Sequence, residues 1–468
     1  MLEQNELKQV VEIGKSYRYK ELCELIHEPR CESTNRKKEQ QDDWNRFFAY
    51  DMVSKYEYVI HEIYDKPFVG LENGFFYKTV YIPVQCSKSD YEYLKQSRKW
   101  AGDCWNAIIE ADKNCYETTG KIMTRSELQT FVKNITPLHA NGNQHVFAKY
   151  YSSRDAMFRS RKAHHENSDK VKLPYKEKEY FVVGWNPFSF TIDYYRKEVR
   201  LTKKAISNGH PQNPVICKFK TMPRYVVEIE LVYKNKLYLA VKYKEPKTTT
   251  DIQTENVSAI DFGEIHSITS IDNNGNALII TGRKLRSIRR LYNKELGKIN
   301  SKRSNTVKGS RQYKKYSRAV HRLNMKRSDQ IRDCIHKITK MYLDYCLENG
   351  ISKVYYGDLD SCTRGTHGKH TKFVNQKLRD WCYGKMTEEL TNKLGRYGIK
   401  MIKISEAYTS QTCPHCGRRH KPTNRNYKCR QCGYVQHRDL VGAMNMLNFH
   451  EEDLHIERYK NLKYLRID

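Results

Sequence analysis

Two Cys-x-x-Cys pairs, Cys413-Pro-His-Cys416 and Cys429-Arg-Gln-Cys432, stand twelve residues apart near the end of a 468-residue chain. Four thiolates at that spacing suit the closed tetrahedral shell of a structural Zn²⁺, because each short loop turns its two cysteines toward one ion. A closed shell keeps no position for a substrate, so the ion stabilises rather than reacts. Redox or merely buried cysteines would not call for a glycine straight after each second cysteine, where Gly417 and Gly433 stand. Directly beyond, Gly433-Tyr-Val-Gln-His-Arg-Asp439 sets an acid, Asp439, against this knuckle at the opening of a helical pattern.

Charge points to a polyanion partner. The chain carries 84 Lys/Arg against 54 Asp/Glu, a net +30, while residues 1–70 hold 11 basic and 14 acidic side chains, so the excess lies beyond them. A field of that sign attracts phosphate backbones and makes binding steeply salt-dependent. It is densest over 283–327, with 17 Lys/Arg and a single acid, Glu295. There Arg286, Arg290, Lys294, Lys298 and Lys302 recur every fourth residue, one stripe on a helix, and such like charges repel unless a polyanion neutralises them. The 35 tyrosines offer faces for base stacking, though the stacking ones are not distinguishable from packing ones by sequence. No apolar run of membrane-spanning length occurs, and Met1-Leu-Glu-Gln-Asn-Glu lacks the regions of a signal peptide. The expectation is a cytoplasmic, nucleoid-associated protein without a membrane partner, its ten other cysteines mostly free thiols.

Four regions follow from pattern. Residues 1–70 show helical patterns at 19–26 and around 41–50 and an alternating strand at 56–64, which suits a small winged-helix-like or helical extension. Residues 75–250 open with strand Phe76–Val84, close with a hairpin-like pair at 225–232 and 236–242, and enclose helix-like stretches within about 88–166; the layout is a β-barrel with a helical insertion. Residues 255–450 read as a mixed α/β domain: a three-strand meander from Val257 to Thr281, a basic helical section 284–349 broken near Lys308, strand 352–356, a helix over about 374–396, strand 400–404, the zinc ribbon at 411–435 and a helix from Asp439. Residues 451–468 read as a polar tail.

Asp261 ends an apolar strand and Phe262-Gly263 then turns the chain; Asp439 opens a helix. Each alone could be a strand end or an N-cap. Together they suggest a pair, since two-metal phosphodiester cleavage needs about three carboxylates at sheet ends to hold two Mg²⁺ ions about 4 Å apart. A third acid is then expected between them.

Ile260-Asp-Phe-Gly263, the basic helical stretch, Tyr408-Thr-Ser-Gln-Thr-Cys-Pro-His-Cys-Gly417, Cys429-Arg-Gln-Cys-Gly433 and His437-Arg-Asp-Leu-Val-Gly-Ala-Met-Asn445 together resemble the RuvC-like nuclease half of transposon-encoded TnpB proteins and of their descendants, the compact type V CRISPR effectors. The resemblance covers roughly 255–450, and over 75–250 it is one of layout, to an oligonucleotide-facing barrel with a helical recognition lobe. It implies an RNase H-like fold and an RNA-guided DNA endonuclease whose partners are a guide RNA and target DNA, with a short flanking motif read by the protein. A homodimer is the assembly left open. By motif, Asp261 and Asp439 are metal ligands. Many relatives have Glu-Asp-Leu at the end of the fourth strand, where this chain reads Gly357-Asp358-Leu359. Adjacent strand ends lie about 5 Å apart, so Glu406, past the neighbouring strand, is expected as the second ligand with Asp358 in reserve. Arg438 is expected at a phosphate. The competing readings are a guided DNA binder that has lost cleavage and a transposase-type strand transferase.

Overall fold

The computed structural model describes residues 3–54, 57–65, 74–163, 173–204, 212–247, 254–357, 382–422, 424–451 and 454–467. They divide into two compact units, Met1–Lys247 and Thr248–Asp468.

The first unit begins with α1 (Gln4–Val10), β1 (Ser16–Arg18), α2 (Tyr19–Leu25), α3 (Thr34–Trp44), β2 (Phe48–Ser54) and β3 (Glu57–Ile63), the strands pairing in the order β1-β3-β2. The stretch 41–50, expected as helix, is helical only to Trp44 and becomes strand at Phe48. The aromatic side chains decide this: Trp44, Phe48 and Tyr58 are fully buried in one cluster, with Trp44 edge-on to Tyr58 at 5.5 Å.

Next come β4 (Phe75–Pro83), α4 (Lys88–Thr119), α5 (Arg125–Phe131), α6 (Ala140–Ala163), β5 (Val183–Trp185), β6 (Phe190–Asp193), β7 (Glu198–Leu201), β8 (Val215–Lys218), β9 (Val226–Tyr233) and β10 (Leu237–Pro246). Two antiparallel sheets, β4-β10-β9-β5 and β6-β7-β8, share one core, in which Trp185, Leu231 and Leu239 of the first meet Val199 and Val215 of the second and Trp105 and Val146 of the inserted helices. Ser87 starts α4 by accepting the Asp90 N–H at 3.1 Å, and Gly120 ends it at φ +69°, a conformation that costs a side-chain-bearing residue free energy.

Helix α6 is pinned to the sheet by His145, whose Nδ1 lies 3.3 Å from Glu228 and whose Nε2 lies 3.1 Å from Glu230; Lys149 reaches Glu230 at 2.6 Å and Lys242 reaches Glu228 at 3.8 Å. Gly184 beneath the ring leaves it room, since any Cβ there would collide with the imidazole. Burial acts to lower the His145 pKa, but the hydrogen bonds to Glu228 and Glu230 outweigh it and raise the value above 6.5, while His145 draws Glu230 down to about 2. A value raised on folding means a contribution fully present below the unfolded pKa and lost as pH climbs through the folded one. The stability deficit of His145→Gln in denaturant titrations is therefore expected to be largest below pH 6.5 and to shrink above it; a deficit independent of pH would contradict the charged pin.

The second unit comprises β11 (Asn256–Asp261), β12 (His266–Asp272), β13 (Asn276–Thr281), α7 (Arg283–Ser304), α8 (Arg311–Glu348), β14 (Ile351–Gly357), α9 (Tyr383–Gly395), β15 (Lys400–Ile404), β16 (Asn426–Lys428), β17 (Val435–His437), α10 (Arg438–Asn448) and β18 (Asn461–Leu465). Six strands form one sheet in the order β15-β14-β11-β12-β13-β18. Strands β11 to β13 are the antiparallel meander, whereas β14 and β15 run parallel to β11. Period-2 alternation sends Ile260, Ile268 and Leu278 to one face, under Ile338 and Tyr342 of α8 and Leu390 of α9, and Val257, Ala259 and Ile279 to the other, under Leu440, Ala443 and Leu447 of α10. Residues 461–465, expected as part of a polar tail, form the edge strand β18 parallel to β13. Four of its five side chains are exposed, so no apolar alternation announces it. Of the helix expected over 374–396, the part before 382 lies outside the described residues, and Tyr383–Gly395 is helical.

Candidate active site

Parallel strands put their carboxyl ends side by side, and crevices at such ends hold ligands in α/β sheets. Here β15, β14 and β11 do so. Asp261 is the last residue of β11, next to the pair Ile260–Tyr356, and Gly357 ends β14 opposite Ile404. Glu406 lies two residues past β15 and extends back over Gly357, where any Cβ would collide with its carboxylate and Cγ. The absence of a side chain at Gly357 is thus what admits Glu406. Asp358 lies outside the described residues.

The third acid arrives from the opposite layer. Helix α10 packs on β11 and β12, and close approach is allowed by Gly442, where a Cβ would stand 2.5 Å from Asp261 Oδ2. His437 caps the helix by accepting the Asp439 N–H on Nδ1 at 3.3 Å. The Asp439 carboxylate meets His266 Nδ1 at 3.0 Å and Arg425 Nη1 at 3.1 Å, both through Oδ2.

Electrostatics show that the three acids converge. Burial, then the charges of Asp439 and Glu406, push the Asp261 carboxyl well above the ordinary range, against an opposing pull from Arg438 and Arg425. Burial also works against ionising Asp439, but the His266 hydrogen bond and the charges of His437 and Arg425 prevail and hold it below the usual value. Burial and two acid neighbours that together oppose ionisation mark a site that a cation would relieve, and hard oxygen donors of this kind suit divalent ions such as Mg²⁺.

The four knuckle cysteines also come together. Cys413 and Cys432 Sγ lie 3.6 Å apart, as do those of Cys416 and Cys429, and all four sulfurs fall within 4.8 Å of one another. A tetrahedral shell with Zn–S of about 2.3 Å places sulfurs roughly 3.8 Å apart, so the cluster could hold zinc. Gly417 (φ +69°) and Gly433 (φ +74°) make the two left-handed turns. Strand pair β16–β17 links the ribbon to α10 and so to Asp439.

The stripe residues Arg286, Arg290, Lys294, Lys298 and Lys302 are all exposed along α7. Arg286 approaches Glu264 at 3.6 Å and Lys298 pairs with Glu295 at 3.0 Å. Arg438 is half-buried at the start of α10 rather than on that stripe. Sequence reasoning did not find His266, Arg425, Gly357 or Gly442. Only Gly357 left a signal, as the absence of an expected acid.

Comparison with known proteins is in keeping with this geometry. The sequence profile of the family described as Cas12f1-like, TNB domain, matches residues 383–446, and that of OrfB_IS605, probable transposase, matches 240–362. Over those residues the chain resembles TnpB-like proteins and the compact type V effectors. It is 21% identical over 352 residues to the CRISPR-associated endodeoxyribonuclease Cas12f1 of Syntrophomonas palmitatica, covering 71% of this chain and 64% of that protein. With Cas12f1 of Sulfoacidibacillus thermotolerans the chain shares 24% identity, covering 46% and 50% of the two, and with the putative RNA-guided DNA endonuclease InsQ of Escherichia coli 27%, covering 33% and 40%. It thus spans about half to two thirds of the length of the first of these relatives. Among solved structures, the Cas12f1 chain of a Cas12f1-sgRNA-target DNA complex superposes with a TM-score of 0.56 at 17% identity, over 77% of this chain and 83% of that one, a likeness of fold. The comparisons lend no support to a homodimer. Among the described residues, no helix is long and apolar enough to cross a membrane.

Metal analysis of the purified chain after dialysis against a mild chelator is expected to give one tightly held zinc per chain, lost in a Cys413→Ser, Cys432→Ser double variant. Hydrogen exchange should then accelerate over 411–435 while the six-stranded sheet keeps its protection. Full zinc in the double variant would refute the four-thiolate site.

Proposed function

We propose that the chain is an RNA-guided DNA endonuclease that hydrolyses a phosphodiester bond at Asp261, Glu406 and Asp439. The observation that carries this is the meeting of two acids at parallel strand ends, Asp261 and Glu406, with a third, Asp439, at the start of the helix packed over them. The printed functions of the relatives, endodeoxyribonuclease and RNA-guided DNA endonuclease, support it. On this reading 255–450 is an RNase H-like (RuvC) domain with an inserted zinc ribbon, a reading favoured by the strand order and by the acids' place in it. Residues 75–250 are the oligonucleotide-facing barrel with its helical lobe, and 1–70 are an accessory extension of winged-helix element order.

The three carboxylates would hold two Mg²⁺ ions, which when bound lower the pKa of water and neutralise charge on the attacked and departing oxygens. The chain's own part is placement. Strands β11 and β15 fix Asp261 and Glu406, while the capped start of α10 fixes Asp439, with His266 holding its outer oxygen. The exposed stripe on α7 fits phosphates of guide or target, and base pairing by the guide reads the sequence. Cys413, Cys416, Cys429 and Cys432 would hold a zinc that keeps the approach to α10 in register.

The test is the chain purified with its co-expressed flanking RNA and offered a plasmid library with randomised flanks and Mg²⁺. Cleavage beside one enriched flank is expected. Asp261→Ala or Glu406→Gln should slow it roughly a thousandfold, several kcal/mol of charge stabilisation being lost. Normal cutting by Glu406→Gln alongside a dead Asp358→Ala would sink the assignment of Glu406. Gly357→Ala should also impair cleavage by displacing Glu406, and the exchange Gly357→Glu with Glu406→Gly should recover part of the activity. An unimpaired Gly357→Ala would show that Glu406 does not need that space.

A further inference from the structure

The cluster His266, His437 and Asp439 brings two imidazoles to the outer side of one proposed magnesium ligand. The donor atoms of the three residues all lie within 4.8 Å of one another. Two ligands bound at about 2.0–2.1 Å with angles between octahedral and tetrahedral stand roughly 2.9–3.4 Å apart. His266 Nδ1 and Asp439 Oδ2, at 3.0 Å, already have that spacing. The His437 ring lies beside His266 with centroids 5.0 Å apart and planes tilted by 54°. His266 starts β12, and His437 joins β17 to α10, so sheet, ribbon and helix together fix the three donors. Magnesium prefers oxygens, whereas imidazole nitrogen with one carboxylate suits zinc, cobalt or copper.

We propose that His266, His437 and Asp439 form a second, transition-metal site, and that a zinc-like ion bound there switches the nuclease off by taking Asp439 from the carboxylate pair. The cation now at Asp439 Oδ2 is the Arg425 guanidinium at 3.1 Å, on a side chain 47% exposed that can leave. Metal in its place draws Asp439 toward the histidines, and Asp261 and Glu406 remain as an incomplete set. Binding stands on the geometry alone. The switching rests on the nuclease reading above.

Binding is tested on the full chain with zinc in the cysteine knuckle, adding Co²⁺ alone and recording proton NMR. Paramagnetic cobalt moves the exchangeable N–H of a coordinated imidazole far outside the ordinary range. Such resonances are expected in the wild type, and expected to be lost in both His266→Ala and His437→Gln but kept in His145→Gln, which alters the other histidine-containing cluster of this kind among the described residues. If His266→Ala fails to fold, His437→Gln carries the test. No shifted resonance in the wild type, or resonances that survive in His437→Gln, would overturn the site. The second arm adds Zn²⁺ to a wild-type cleavage reaction in excess Mg²⁺. Loss of cleavage that further Mg²⁺ does not reverse is expected, and full activity with the cobalt signals present would overturn the switch while leaving the site. A chain that never cleaves would fail the nuclease reading and leave the NMR result standing.

Discussion

Like charges held together in a half-buried crevice are the constraint around which the second unit is arranged. Asp261, Glu406 and Asp439 would separate if the backbone let them, because burial and mutual repulsion both oppose ionising Asp261. They stay because each belongs to an element committed elsewhere: β11 is covered on both faces, β15 is paired in register with β14, and α10 is anchored by Leu440, Ala443 and Leu447. Packing energy spread over the sheet sustains a local electrostatic cost that a bound cation would remove. Site strain of this kind is the usual place where a fold departs from its most stable arrangement.

Two glycines make the crowding tolerable. Gly442 lets α10 come down onto Asp261, and Gly357 gives Glu406 the volume that a side chain on β14 would fill. Space at one strand end and an acid at the next are therefore a single requirement.

Much of this was legible in the sequence because its signals are local. The spacing of Cys413, Cys416, Cys429 and Cys432 foretold the cluster, the meander from Val257 to Thr281 follows its apolar alternation and turn residues, and the break before Ser310 divides α7 from α8 as expected. What escaped was set by distant partners. Phe48 leaves helix for strand because an aromatic core awaits it, and β18 is nearly all exposed and gains its place only by pairing with β13. The role of His266 depends on a residue 173 positions away, and no local pattern records such a meeting.

That edge strand also bears on how the protein is made. Strands β11 to β13 can pair soon after they leave the ribosome, yet β13 stays an open edge until residues 461–465 emerge. While the residues between Thr281 and Asn461 are made, then, the central sheet exposes unpaired amides and carbonyls, inviting mispairing with nascent neighbours. Assembly of the crevice is likewise deferred, since Asp439 comes late. A polypeptide whose synthesis stalls before α10 would hold the basic helices α7 and α8 without the full set of acids.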